Sequence, residues 1–144
     1  MINICEFAGK KMMLDLSAGW CGPCQMAADC VAGNDTACGQ LFQGGFTAQI
    51  EMLVNGIRDN LIAGNTNWVT VFYQNAAGSP PSLSDIQQWE QQYHQSNVWV
   101  MAETSGVSAQ WLPTQGIPFF VSVGADFNYL NVNNGYEWSD LATP

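Results

Sequence analysis

A chain of 144 residues that is 47% apolar, with six Trp and seven Phe, is sized for one domain with a substantial core and is too apolar for disorder. Lys10, Lys11 and Arg58 are its only basic residues against twelve acidic ones, a net charge of −9 that argues against nucleic acid and anionic membrane surfaces as partners. No apolar run reaches the length of a membrane-spanning helix.

The first predicted element is a buried strand over about 11–17, Lys11-Met12-Met13-Leu14-Asp15-Leu16-Ser17. Asp15 interrupts its apolar run, and a carboxylate there is costly unless it is protonated or partnered. The alternative is an acid on a surface strand edge. Trp20-Cys21-Gly22-Pro23-Cys24 follows, leading into a short helix over about 22–31. Cys21 then falls at a helix N-terminus, where unpaired backbone N–H groups and the dipole favour a thiolate. The thiolate is the form that attacks disulfides, and Cys21 is expected to be the exposed sulfur of the pair. By spacing alone, Cys21 and Cys24 also fit a structural disulfide or half of a zinc site.

Gly33-Asn34-Asp35-Thr36 reads as a loop between Cys30 and Cys38. A disulfide between these two would staple the loop and imply an oxidising compartment. The other arrangement, Cys21, Cys24, Cys30 and Cys38 around zinc, lacks a second Cys-x-x-Cys, so no metal is assigned. Ile50, Leu53, Val54, Ile57 and Leu61 recur at helical spacing and predict a helix over about 46–62. A second buried strand is expected over 68–73. Ser84 and Gln87 read as a capping box opening a helix to about 95, with Ile86, Trp89 and Tyr93 inward and His94 at its surface end. Val98-Trp99-Val100-Met101 is the third strand, with Glu103 just beyond it. Strands over 119–123 and about 127–132 form a hairpin through Gly124-Ala125-Asp126, and Tyr136–Leu141 allows one or two turns of closing helix.

In Asp15-Leu16-Ser17-Ala18-Gly19-Trp20-Cys21-Gly22-Pro23-Cys24, and again at Gly116-Ile117-Pro118 before the strand Phe119-Phe120-Val121-Ser122-Val123, the chain resembles the thioredoxin superfamily, particularly TlpA-type redoxins. The resemblance covers about residues 10–31 and 97–133. It implies an α/β thioredoxin-like fold: a central mixed β-sheet flanked by helices, with a C-terminal antiparallel hairpin. Residues 1–144 then form a single domain with a helical and loop insertion at about 32–63.

The resemblance also implies roles. Cys21 is the nucleophile and Cys24 the resolving cysteine, and Asp15 takes the place of the buried acid that moves the proton off the resolving thiol. Pro118 matches the cis-proline that shapes the substrate groove and excludes metals from the cysteine pair, and Ile117 would offer backbone hydrogen bonds to an extended substrate. Trp20, Gly22 and Pro23 complete the substrate-contacting surface, and the Gly-Pro spacer resembles the reducing members. Two departures stand out: Gln25 replaces the usual basic residue after the motif, and no lysine beyond Lys11 is available to accompany the acid.

The expected function is a thiol:disulfide oxidoreductase that needs no cofactor and acts on protein or small-molecule thiols and disulfides. A separate redox partner would recharge the Cys21–Cys24 pair. The alternative is a redox-inert module that binds partners through the Pro118 groove. Charged residues make up just 10% of the chain, and a polar, weakly charged surface is more usual of exported proteins. Met1-Ile2-Asn3-Ile4 leads straight into Cys5 and domain sequence, which reads as a trimmed start with any export signal removed and neither shows nor excludes export. Periplasmic or extracellular location is therefore expected, with the cytoplasm as the alternative.

Overall fold

Five strands build one mixed sheet, in which the first strand of the chain lies at the centre and is buried on both faces. The computed structural model describes residues 4–110, 116–133 and 136–143. The reading of Met1-Ile2-Asn3 lies outside them. A 3-10 turn (Ile4–Phe7) precedes β1 (Lys11–Ala18), α1 (Gly22–Val31), α2 (Asp35–Leu41) and α3 (Ala48–Ala63). Then come β2 (Thr66–Gln74), α4 (Leu83–Gln92), β3 (Val98–Ala102), β4 (Phe119–Val123), β5 (Tyr129–Asn133) and α5 (Ser139–Ala142). β1 runs parallel to β2 and β2 to β3, whereas β4 is antiparallel to β1 and β5 to β4. The α/β architecture with a terminal antiparallel hairpin matches the expected one.

The helices start where side chains cap them. Asn34 Oδ1 accepts from the backbone N–H groups of Thr36 and Ala37 at 3.1 and 3.2 Å, so α2 begins at Asp35. The expected loop thus ends at Asn34, two residues earlier, and Cys38 lies inside a helix. Thr47 caps α3, whose far end closes on Gly64 in the left-handed region (φ 73°). At α4 the capping box is Ser82 with Asp85, not Ser84 with Gln87: the Asp85 carboxylate accepts from the Ser82 N–H at 2.7 Å. That helix stops at Gln92 rather than about 95, because Tyr93 leaves helical geometry with its ring packed on Trp89, centroids 4.7 Å apart. β5 begins at Tyr129 rather than 127, since the turn extends to Asn128, whose N–H donates to Asp126 Oδ1 and whose carbonyl accepts from Gly124.

On one face of the sheet, Met13, Trp68 and Phe120 meet Ala27, Val31, Leu41, Val54, Ile57 and Leu61 from α1, α2 and α3. Trp138 and Leu141, at the C-terminal turn, fill the same cluster, with the Trp138 ring 5.0 Å from that of Trp68. Burying a side chain such as Phe120 or Met13 is worth roughly 1.5–3 kcal/mol, so this cluster is the main anchor of the helices on the sheet. The segment at about 32–63 carries α2 and α3, and both contribute residues to this core. The opposite face is less covered. Phe7, Met12, Val69 and Val123 cluster at one end, and Leu14, Val71, Val121 and Tyr129 line an apolar hollow of about 260 Å³ beside them.

Cys30, near the end of α1, is bonded to Cys38 of α2, with Cα atoms 4.7 Å apart. Both residues are fully buried. Replacing both by Ala is expected to lower stability by about 2–3 kcal/mol, the chain-entropy value for so short a loop. Thermal unfolding should show a midpoint lower by several degrees.

Candidate active site

The carboxyl end of β1 delivers the chain to the site through a tight passage. Gly19 donates its N–H to the Gln74 carbonyl at 2.8 Å, and its own carbonyl accepts from Gln25 Nε2 at 2.7 Å. A Cβ on Gly19 would lie 2.7 Å from Ala76 N and 2.9 Å from the Asn75 carbonyl carbon, so only glycine fits between β1 and that loop. Trp20 follows, half exposed, with its indole N–H held by Gln74 Oε1 at 2.8 Å.

Cys21 is the N-cap of α1, and Pro23 sits in the first turn, where a missing N–H costs nothing. Cys21 and Cys24 form a disulfide with Cα atoms 5.2 Å apart. The Cys24 backbone N–H points at Cys21 Sγ, 3.2 Å away. Exposure does not separate the two sulfurs as expected: in this oxidised form Cys21 is 3% and Cys24 0% exposed. Capping separates them instead, since only Cys21 accepts a helix N-terminal N–H and so gains as an anion. In reduced protein, Cys21 is expected to react with iodoacetamide at least about tenfold faster than Cys24. Peptide mapping after timed quenching measures this, and equal rates would reassign the nucleophile.

The Ile117–Pro118 peptide bond is cis, and Ile117 packs against the cluster that contains Cys21, Cys24, Ala18 and Phe72. The fold therefore brings a segment distant in sequence onto the cluster that holds the disulfide. Gly22 and Pro23 are exposed beside it. Polar hollows of about 210 and 450 Å³ flank Gln25, and neither is lined by a cation.

Asp15 occupies the central strand with no solvent exposure, which removes the strand-edge alternative. Ser17 Oγ donates to its Oδ1 at 2.7 Å, while the Trp68 indole N–H and Thr70 hydroxyl donate to Oδ2 at 3.4 and 3.3 Å. Burial pushes its pKa up from 3.8 to about 6, and the three donors hold it below where burial alone would take it. No cation is among these partners. Lys11 instead reaches the carbonyls of Asp140 and Thr143 at 3.2 and 3.0 Å. The negative charge of Asp15 is felt at Tyr136, whose pKa is raised first by burial and then by that charge.

Sequence reasoning singled out Asp15 but not Ser17, Trp68 and Thr70, which depend on the β1–β2 register pairing Asp15 with Thr70. Gln74 and Gln25, which hold Trp20 and Gly19, were likewise missed, because glutamines carry no distinctive pattern. Glu103 is committed to its own turn: Ser105 Oγ and Ser108 Oγ both donate to it, drawing its pKa down to about 2. His94 is exposed just past α4. Among the described residues, no group of three His, Cys, Asp or Glu side chains is placed to hold a metal ion.

Neither a protein-family model nor a curated protein sequence matches this chain. Solved structures do match in fold. A secreted thiol-disulfide isomerase from Corynebacterium glutamicum superposes with a TM-score of 0.61 at 16% identity, over 99% of this chain and 74% of its own. Mycobacterium tuberculosis DsbF gives 0.58 at 19% identity, over 96% and 82%. A secreted M. tuberculosis disulfide oxidoreductase homologous to E. coli DsbE gives 0.56 at 14%, over 98% and 86%. The chain has the thioredoxin-like fold of these redoxin-type structures.

Proposed function

We propose that the chain is a thiol:disulfide oxidoreductase in which Cys21 attacks and Cys24 resolves. The observation that carries this reading is the Cys21–Cys24 disulfide at the N-terminus of α1, with the Cys24 N–H directed at Cys21 Sγ. In the reducing direction, Cys21 thiolate attacks one sulfur of a substrate disulfide. A Cys21–substrate bond forms and the other substrate sulfur leaves as thiolate. Cys24, deprotonated, then attacks Cys21 Sγ, closing the disulfide and releasing the second substrate sulfur. Two electrons pass to the substrate, and the two protons leaving the cysteines end on its thiols. Only these two sulfurs are needed, without a cofactor. Asp15 is assigned the proton of Cys24; a carboxyl poised near pH 6 is suited to accept and return it.

Ile117 and Pro118 with Trp20, Gly22 and Pro23 form the surface that an extended substrate would meet. The substrates are protein or small-molecule disulfides, and a separate dithiol partner recharges the pair. The Gly-Pro spacer favours the reducing direction. A periplasmic or extracellular location is supported by the Cys30–Cys38 disulfide and by the secreted proteins among the structural neighbours.

Insulin reduction by dithiothreitol tests the reading. The chain should accelerate turbidity well above dithiothreitol alone. No acceleration by correctly folded protein would instead favour a redox-inert module binding through the Pro118 groove.

A further inference from the structure

Arg58, on the inner side of α3, converges on the second disulfide. Its Nε and Nη2 donate to the Cys30 carbonyl at 3.1 and 2.6 Å, and Nη2 also lies 3.4 Å from Cys38 Sγ. Its Nη1 reaches Asp35 Oδ1 at 2.8 Å and Asn55 Oδ1 at 3.2 Å. The guanidinium side chain is 12% exposed, whereas Asp35 is 60% exposed. The fork on the Cys30 carbonyl therefore fixes a nearly buried positive charge against one particular sulfur.

A disulfide sulfur is a weak acceptor and gains little from that charge. A thiolate gains a charge-assisted hydrogen bond. The contact is thus stronger in the reduced state than in the oxidised one, and it singles out Cys38, since Arg58 meets Cys30 through its carbonyl. We propose that Cys30–Cys38 is a second, reversible thiol-disulfide couple, with Cys38 as the leaving sulfur held as thiolate by Arg58.

The step uses an external dithiol as reductant. One of its thiolates attacks Cys30 Sγ, the Cys30–Cys38 bond breaks, and Cys38 departs as thiolate onto Arg58. The second thiol of the reductant, deprotonated, attacks its own sulfur in the mixed disulfide. Cys30 is released and takes one proton, the other proton goes to solvent, and the reductant leaves as its cyclic disulfide. Both cysteines are buried, so exchange waits for α2 to lift from α1. The equilibrium, not the rate, carries the signature of Arg58. The consequence is a docking of α2 on α1 that depends on ambient redox conditions and is chemically separate from Cys21–Cys24.

The test uses the full chain carrying Cys21→Ser and Cys24→Ser, so its outcome is independent of the activity proposed above. The protein is equilibrated in oxidised and reduced dithiothreitol mixtures, with differential alkylation reporting Cys30 and Cys38 and circular dichroism reporting the fold. Reversible two-electron reduction of folded protein is expected. Arg58→Met should shift the equilibrium about tenfold toward the disulfide at neutral pH, the scale of one charged hydrogen bond. The shift should vanish at acid pH, where both variants form a neutral Cys38 thiol. Asp35→Asn, which removes a carboxylate competing for the same guanidinium, should move it the opposite way by about two- to threefold, as befits an exposed pair, and does not depend on Arg58→Met folding. A disulfide that opens only on unfolding would overturn the proposal, as would Arg58 and Asp35 variants that match their parent at every pH.

Discussion

Cys21→Ser is expected to cut insulin-reduction turnover by roughly a thousandfold or more, as removal of a covalent nucleophile does, with the fold left intact. The clean separation follows from the N-cap position. Serine is among the preferred N-cap residues, so its hydroxyl can accept the Cys24 N–H that Cys21 Sγ accepts at 3.2 Å. Stability should therefore change little beyond the loss of a very small disulfide ring. Cys24→Ser is expected to fail differently. Cys21 can still attack, but nothing resolves the product, so a mixed disulfide with the substrate should accumulate and be visible by mass spectrometry without reductant. If Cys24→Ser retains turnover and Cys21→Ser traps substrate, the two roles are exchanged.

Asp15→Asn should stabilise the protein near pH 7 by about 1–3 kcal/mol and lose that advantage in acid. The sign follows from burial. The Asp15 pKa is raised from 3.8 to about 6 in the folded protein, so between these values the folded state binds more protons than the unfolded one. Stability from this site is fully present below about pH 4, is lost as pH rises toward 6, and stays lost above. The gap is worth roughly 3 kcal/mol at 1.36 kcal/mol per pH unit. Asparagine never ionises and escapes the penalty, although its amide can accept from only part of the Ser17, Trp68 and Thr70 donor set. The difference in unfolding free energy between variant and parent, measured from pH 4 to 8, should grow through the intervening range and then level off. A difference that is constant across that range would mean that Asp15 titrates normally. The same variant should slow release of the mixed disulfide rather than its formation. Slowed attack by Cys21 instead would remove the proton-acceptor role from Asp15.

Much of this organisation is legible in the chain because short-range chemistry fixes it. Gly22-Pro23 between cysteines at the end of an apolar strand determines α1 and its N-cap, and Ile117-Pro118 before Phe119–Val123 marks where β4 enters. What escapes the sequence depends on pairing between distant segments. Thr70 meets Asp15 only through the β1–β2 register, and Gln74 reaches Trp20 only because β2 extends to that level. Arg58 offers no local clue either: its target is a carbonyl and a sulfur on α1 and α2. α2 has no counterpart among the expected elements, because Asn34 reads equally as a loop residue or a cap, and only the helix that follows decides between them. At α4 two Ser residues compete for the cap, and Asp85, shorter than Gln87, is the partner whose carboxylate sits on the Ser82 N–H.

The fit of Gly19 between β1 and the loop at Asn75–Ala76 also bears on how far this motif can drift or be re-engineered. Directly before Trp20, any side chain would strike the Asn75–Ala76 peptide, so variation at that position is closed by backbone packing rather than by chemistry. At Gly22 the situation reverses: an added Cβ meets nothing within 4 Å. Diversity that retunes the cysteine pair is thus available in the spacer and barred at its approach. A lineage, or a library, exploring new redox properties on this scaffold would carry an invariant glycine three residues ahead of a varying position 22.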